Sequence, residues 1–129
     1  MTLTGACAIM RPMVRRGTRR EALPPEAVDM VAGRFRILGE PIRIRLLQEL
    51  HGGEKNVTEL VAAVGSTQPN VSKHLRILQD AGIVGRRQSG NSVYCFIADE
   101  SVLDLCDTVC DGIREQIAAT ARALKVRRR

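Results

Sequence analysis

The run NVTELVAAVGSTQPNVSKHLRILQDAGIVGRRQSGNSVYCFI, Asn56 to Ile97, decides how this chain folds. Asn56 followed three residues later by Glu59 is a capping-box pair. It opens a helix whose apolar face is Val57, Leu60, Val61 and Val64, and Gly65 ends it. Ser66 and Thr67 are capping residues, and Pro69 falls in a first turn, where its missing N–H has no helical partner to lose. A second helix therefore begins near Gln68 and runs to about Asp80, with Ala81-Gly82 as its stop. Val71, Leu75 and Leu78 recur at i, i+4 and i+7, so they face a core and turn Pro69, Asn70, Lys73 and Arg76 outward, with Ser72 at the margin. Two extended runs, Ile83 to Gln88 and Val93 to Ile97, then flank Ser89-Gly90-Asn91-Ser92, and Gly90-Asn91 suits a two-residue hairpin turn.

The polar face of the second helix has the chemistry of base reading. Gln and Asn pair with adenine, Lys with guanine or phosphate, and Ser with either. Alone, such a helix reads more readily as a solvated amphipathic segment. Its setting, with a capped helix before it and a hairpin carrying Arg86 and Arg87 after it, predicts a winged helix-turn-helix, mainly α with a small β-hairpin. The expected recognition helix covers about 68–80 and the wing about 83–97. Candidate contacts to double-stranded DNA are Gln68, Pro69, Asn70, Ser72, Lys73, Arg76, Arg86 and Arg87.

Two helical segments precede this core and one follows it. Pro24-Pro25 lead into a helix from about Glu26 to Leu38 with Val28, Val31, Phe35 and Leu38 as its apolar stripe. Glu40-Pro41 start another that reaches about Leu50, and His51-Gly52-Gly53 form the turn after it. The last helix runs from an Asp99 cap to about Leu124. Its stripe of Val102, Leu105, Val109, Ile113, Ile117, Ala121 and Leu124 is longer than so small a core can cover, so it calls for a partner. The expected organisation is a disordered basic arm over 1–22, a domain over 23–124 and a basic tail over 125–129. Met10 and Met13 offer alternative translation starts within the arm.

Composition narrows the function. A chain of 129 residues with 44% apolar content suits one small globular domain. No apolar run approaches the roughly 18 residues of a membrane span, and no signal peptide is evident, which implies a cytoplasmic protein without a membrane partner. The net charge of +6 resides in the termini, each contributing +4, so the body between them is slightly acidic. Within that body the charge is sorted. Lys55, Lys73, Arg76, Arg86 and Arg87 face only Glu59 and Asp80 over residues 55–97, whereas the last helix with its cap carries six acids. With two Phe, one Tyr and no Trp there is no stacking platform for single strands.

The segments RFRILGEPIRIRLLQEL (34–50), TQPNVSKHLRILQDAGIV (67–84) and GNSVYCFI (90–97), in this order and spacing, closely resemble the arsenical-resistance repressor (ArsR) family of bacterial winged-helix regulators. The resemblance covers roughly residues 28–124. It implies a homodimeric repressor, paired through its first and last helices, that leaves its operator when an inducer binds, often a thiophilic or transition metal ion. By position, the family's DNA-reading residues fall on Gln68, Pro69, Ser72 and Lys73, with Arg86 and Arg87 near the wing. No cofactor is implied for DNA binding itself.

The inducer question turns on cysteines. Cys106 and Cys110 stand at i and i+4 along the edge of the last stripe. Their Cβ atoms are about 5–6 Å apart on a helix against the roughly 3.8 Å of a disulfide, so an internal bridge would distort the helix, but two thiolates can converge on one soft ion. Cys95, near the end of the wing strand, is the third candidate, and three thiolates suit As(III) or Sb(III); Cd, Pb or Zn would need another ligand. Two family patterns are missing: Val57 to Val64 holds no cysteine, and the last helix holds no histidine. His51 and His74 read as polar fillers. Two alternatives stay open. The cysteines serve as a thiol switch for oxidants or persulfides, although Ile42 to Leu50 lacks the partner cysteine of related persulfide sensors, or they simply pack a seam as small hydrophobes. Cys7, in the arm, is a fourth thiol without an assigned role.

Other function classes fit less well. A pure protein-interaction module would not need the Gln68, Asn70 and Lys73 face or the arginine hairpin. A cysteine-nucleophile enzyme lacks an assignable base near Cys106 or Cys110, and there is no Gly-rich phosphate loop. The chain therefore reads as a regulator and not an enzyme.

Overall fold

Local signals build the elements in the order helix, helix, short strand, helix, helix, hairpin, helix. The structure, a computed structural model, describes residues 21–127. The basic arm, Cys7 and the alternative starts at Met10 and Met13 lie outside the described residues, apart from the arm's last two positions.

Helix α1 spans Pro25–Leu38, one residue earlier than expected, because Pro24 C=O already accepts from the amides of Ala27 and Val28. The chain divides into two units within this helix, after Ala32. The first unit is described only by the opening turns of α1, where Pro25 and Glu26 occupy positions that suit proline and an acid.

The second unit carries everything else. Helix α2 covers Pro41–His51, so His51 closes the helix instead of starting the turn. Strand β1 is Lys55–Asn56, α3 is Val57–Val64, α4 is Gln68–Asp80, β2 is Val84–Ser89, β3 is Ser92–Ile97 and α5 is Glu100–Arg127. Asn56 Oδ1 accepts from Glu59 N at 2.8 Å while Asn56 N donates to Glu59 Oε1 at 2.9 Å, which completes the expected capping box. Thr67 Oγ1 accepts from Asn70 N at 3.3 Å and caps α4.

The sheet is three-stranded and antiparallel in the order β1-β3-β2, where the sequence predicts a two-stranded hairpin. Lys55 pairs with Cys95 and Asn56 with Tyr94. Two polar residues have no alternation to read, so only the arrival of β3 makes them a strand. The hairpin turn is as expected, with Gly90 at φ +61. Opposite Phe96 stands Gly85, where an added Cβ would lie 2.5 Å from the ring, so only glycine lets the ring cover that strand.

The core gathers Leu46, Leu47 and Leu50 of α2, Leu60 and Val64 of α3, Val71, Leu75 and Leu78 of α4, Ile83, Val84 and Cys95 of the hairpin segment, and Val102 of α5. Each fully buried Leu or Val contributes roughly 1.5–3 kcal/mol, against about 1 kcal/mol for a good cap, so packing holds α4 while the cap decides where it begins. Helix α5 starts as predicted: Asp99 Oδ1 accepts from Ser101 N at 3.0 Å. It continues past Leu124 to Arg127, so part of the expected tail is helical, as suits Lys125 in a last turn.

Candidate DNA interface and thiol pair

The outer face of α4 is set by its three buried side chains. With Val71, Leu75 and Leu78 turned inward, Gln68, Pro69, Lys73 and Arg76 are exposed and Ser72 is half-buried at the edge, as the periodicity predicts. Asn70 is more constrained than expected. Its Nδ2 donates to Ser66 Oγ at 2.9 Å, which ties the side chain back onto the turn between α3 and α4.

His74, expected as a polar filler, is buried. Its Nδ1 accepts from Arg43 Nε at 3.0 Å, and Arg43 Nη1 reaches Ile37 C=O at 2.8 Å, so one guanidinium joins α4, α2 and the end of α1. Burial, then the positive charges of Arg43 and Lys73, hold its pKa below the ordinary histidine value despite the opposing pull of Glu40. A neutral ring is what accepting at Nδ1 requires. Two more arginines satisfy helix ends: Arg45 Nη1 donates to Val64 C=O at 3.0 Å and Arg34 Nη1 to Ala81 C=O at 3.0 Å. Sequence reading assigned none of these three arginines, since the partners of Arg34 and Arg43 on α4 lie 47 and 31 positions away and no local pattern announces them.

The wing arginines part company. Arg86 lies directly across from Cys95, on the sheet face toward α4, where it shares a groove with Ser72, Arg76, Gln79 and Asp80. Arg87 pairs across from Tyr94 on the opposite face, sits 5.2 Å from the centre of that ring and forms an ion pair with Glu54. Arg86 thus joins the α4 surface, and Arg87 braces the base of the wing. Both ions of the Arg87–Glu54 pair are partly exposed, so it contributes at most about 1 kcal/mol.

Cys95, Cys106 and Cys110 do not form one cluster. Cys95 is fully buried on β3 beneath α4, with Gln79 Nε2 4.0 Å from its sulfur, and burial raises its pKa. Cys106 and Cys110 instead line a separate apolar groove of about 210 Å3 with Phe35, Leu38, Ile44, Leu105 and Val109. Among the described residues no group of three or more His, Cys, Asp or Glu side chains is placed to hold a metal ion. The expected third ligand therefore departs from the set: strand alternation sends Cys95 into the core, away from the groove on α5. Burial, Cys110 and Asp107 each push the Cys106 thiol up. His51, whose Nδ1 is 3.9 Å from Asp107 Oδ1, joins α2 to α5 at the surface.

The helix-turn-helix, the capped recognition helix and the three-stranded wing define a winged helix-turn-helix protein. Residues 40–85 match the model of the family described as bacterial regulatory protein, arsR family. The chain is 33% identical over 100 residues to a transcriptional repressor SmtB homolog of Synechocystis, covering 78% of this chain and 76% of that one. The crystal structure of the AntR antimony-specific transcriptional repressor superposes with a TM-score of 0.71 at 30% identity, covering 88% of this chain and 99% of that one. The homodimeric winged helix-turn-helix DNA-binding domain Mb0332 of Mycobacterium bovis superposes at 0.66 with 29% identity, over 71% of this chain and 85% of that one. Other curated repressors, matched at 40% identity, are spanned over only 56–62% of their length. The chain belongs to the arsR family, which is a family of DNA-binding transcriptional regulators and not of enzymes. Among the described residues, no helix is long and apolar enough to cross a membrane.

Proposed function

We propose that this chain is a cytoplasmic transcriptional repressor that binds operator DNA as a homodimer and is released by a thiophilic ion held at Cys106 and Cys110. The observation that carries the DNA-binding half is the shared surface of α4 and the wing, where Gln68, Pro69, Lys73 and Arg76 stand exposed with Arg86 beside them. On this reading Gln68 and Ser72 would meet base edges and Lys73, Arg76 and Arg86 phosphates or guanine, with Asn70 already engaged by Ser66. A two-fold dimer would present two such helices to successive major grooves. The exposed apolar stripe of α5 supports pairing, as does the homodimeric state of the Mycobacterium bovis domain.

The inducer half rests on the paired thiols. Both line a groove walled by α1, α2 and α5, so an ion seated between them would press on Phe35, Leu38 and Ile44 as well as on α5. Because α5 offers the proposed dimer surface, that pressure would alter the spacing of the recognition helices and shift the population away from the DNA-binding form. A coupling of roughly 1–3 kcal/mol would weaken operator binding about 5- to 150-fold. As(III) and Sb(III) head the candidates, and the antimony-specific relative supports them. A persulfide or oxidant switch is less favoured, because Ile42 to Leu50 lacks the partner cysteine of related persulfide sensors and Cys95 lies in the core apart from the groove that Cys106 and Cys110 line.

The test is anisotropy of a labelled promoter duplex titrated with the protein across salt concentrations. A steep fall of log K with log salt is expected, and Lys73→Ala should lower the slope by about 1. A slope unchanged in Lys73→Ala and Arg86→Ala would remove the DNA reading. Inducer release that persists in Cys106→Ser with Cys110→Ser would remove the thiol site.

A further inference from the structure

Helix α4 is held by two kinds of contact. Val71, Leu75 and Leu78 bury apolar area, which is non-directional and tolerates small slides and rotations. Reading base edges does not tolerate them, since a productive contact demands placement within about 0.5 Å and 10–20°. The directional contacts come from arginines of α1 and α2. Arg34 Nη1 holds the far end of α4 at Ala81 C=O. Arg43 acts at mid-helix, where its Nε donates to His74 Nδ1 at 3.0 Å and its Nη1 to Ile37 C=O at 2.8 Å. One planar fork thus fixes α4 to α2 and to the end of α1. His74 is only 7% exposed, and it directly follows Lys73, which stands exposed on the reading surface.

We infer that Arg43 is a positioning residue for DNA reading, and that it orients α4 only while the His74 ring is neutral, so that acidification weakens operator binding. The inference rests on the reading of α4 as the DNA-contacting helix. Arginine keeps its charge and can only donate. His74 Nδ1 can accept from it only while that nitrogen carries no proton. One proton taken from solvent at Nδ1 removes the acceptor and sets two cations 3.0 Å apart. The charges acting on the ring are Arg43 of α2, Lys73 of α4 and Glu40 at the cap of α2, two cations against one acid, and burial acts in the same direction as the cations. The sign of the effect separates this device from ordinary charge. A histidine protonated beside DNA normally strengthens binding, because the phosphates attract added cations. Loss of the bond acts the other way. Breaking a hydrogen bond to a charged group shifts an equilibrium by roughly tenfold or more, which exceeds the few-fold gain from one screened cation. Operator binding selects the bonded geometry, so the complex holds the ring neutral to lower pH than the free protein does.

The test uses the purified full-length protein and two probes, a duplex that the protein selects from a random pool at about pH 8 and a scrambled duplex of equal composition. Anisotropy gives the ratio of the two affinities from about pH 8 to about pH 5.5, with circular dichroism verifying the fold at each step. The ratio should hold at the alkaline end and fall by about five- to tenfold on the acid side of the ordinary histidine value, while binding of the scrambled duplex holds or rises. His74→Asn, whose Oδ1 replaces Nδ1 as an acceptor that does not titrate, should keep the ratio at the alkaline end and abolish the decline. Arg43→Lys keeps the charge but cannot serve Ile37 and His74 together, so it should lower selected-duplex affinity several-fold at the alkaline end and leave the scrambled duplex unaffected. Nitrogen NMR of the wild-type ring should find its proton on Nε2 there, a readout that stands even where a variant fails to fold. A ratio that stays level or rises on acidification overturns the inference, as does an equal decline in folded His74→Asn or a proton found on Nδ1. A wild-type chain that selects no sequence from the pool removes the DNA reading itself, and the inference with it.

Discussion

Helices α4 and α5 both carry a long apolar stripe, and the two stripes meet opposite fates. In α4, Val71, Leu75 and Leu78 are buried by the chain itself, with Leu75 only 2% exposed. In α5 the stripe is covered at Val102 and half-covered at Leu105, and then runs out into the open, with Ile113 48% and Ile117 64% exposed. A helix that reads an external ligand has to be held rigidly by its own fold, because its outer face must be free. A helix whose inner face is left bare is unfinished within one chain. The thiol pair sits where the two regimes meet, on the stretch of α5 between half-covered Leu105 and bare Ile113.

The difference can be broken at several points, the largest first. Leu75→Ala should destabilise the fold by about 2–5 kcal/mol in denaturant unfolding, since the cavity lies in the one core that positions α4. A loss under about 1 kcal/mol would mean that α4 does not depend on its own chain. Ile117→Asp should leave secondary structure intact but raise the dimer dissociation constant about 100-fold in sedimentation equilibrium, because the two-fold axis applies the change twice at roughly 1.5 kcal/mol each. An unchanged self-association would show that this stripe is not the dimer surface. Thr67→Ala should cost about 1 kcal/mol through the lost cap of α4 and leave association unaffected.

The smallest effect is a pH slope. The folded-state pKa of His74 is depressed, so the unfolded chain binds more protons, and the stability His74 contributes is present above the ordinary histidine pKa and lost as pH falls through the folded value. Unfolding free energy should therefore decline as pH falls below neutrality, and His74→Gln should flatten that decline. Equal slopes in the two proteins would show that the Arg43–His74 bond does not sense protonation. Nothing comparable is expected of α5, whose exposed stripe carries no histidine.

How much could be read in advance follows the same divide. The limits of α4 were readable to the residue because the cap at Thr67, the proline at 69 and the stop at Ala81-Gly82 are local. The capping box of α3 and the hairpin turn at Gly90 were readable for the same reason. Strand β1 was not, since Lys55 and Asn56 become a strand only by meeting β3 from about 40 positions away. The pairing of Arg87 with Glu54 and the burial of His74 under Arg43 were hidden by the same separation. Cys95 was grouped with Cys106 because they are close in sequence, yet one strand register turns it into the core.

What the residue order alone determined was the set of elements and the outward face of the reading helix, because caps, turns and periodicity act within a few residues of each other. What only the tertiary structure decided was which polar groups are free. Arg34, Arg43, Arg45 and Arg87 are taken up by carbonyls, an imidazole and a carboxylate, while Arg76 and Arg86 remain beside α4, and Cys95 is withdrawn from the thiol pair. Such choices depend on which distant backbone or side chain arrives within hydrogen-bond reach, and that is fixed only when the core closes.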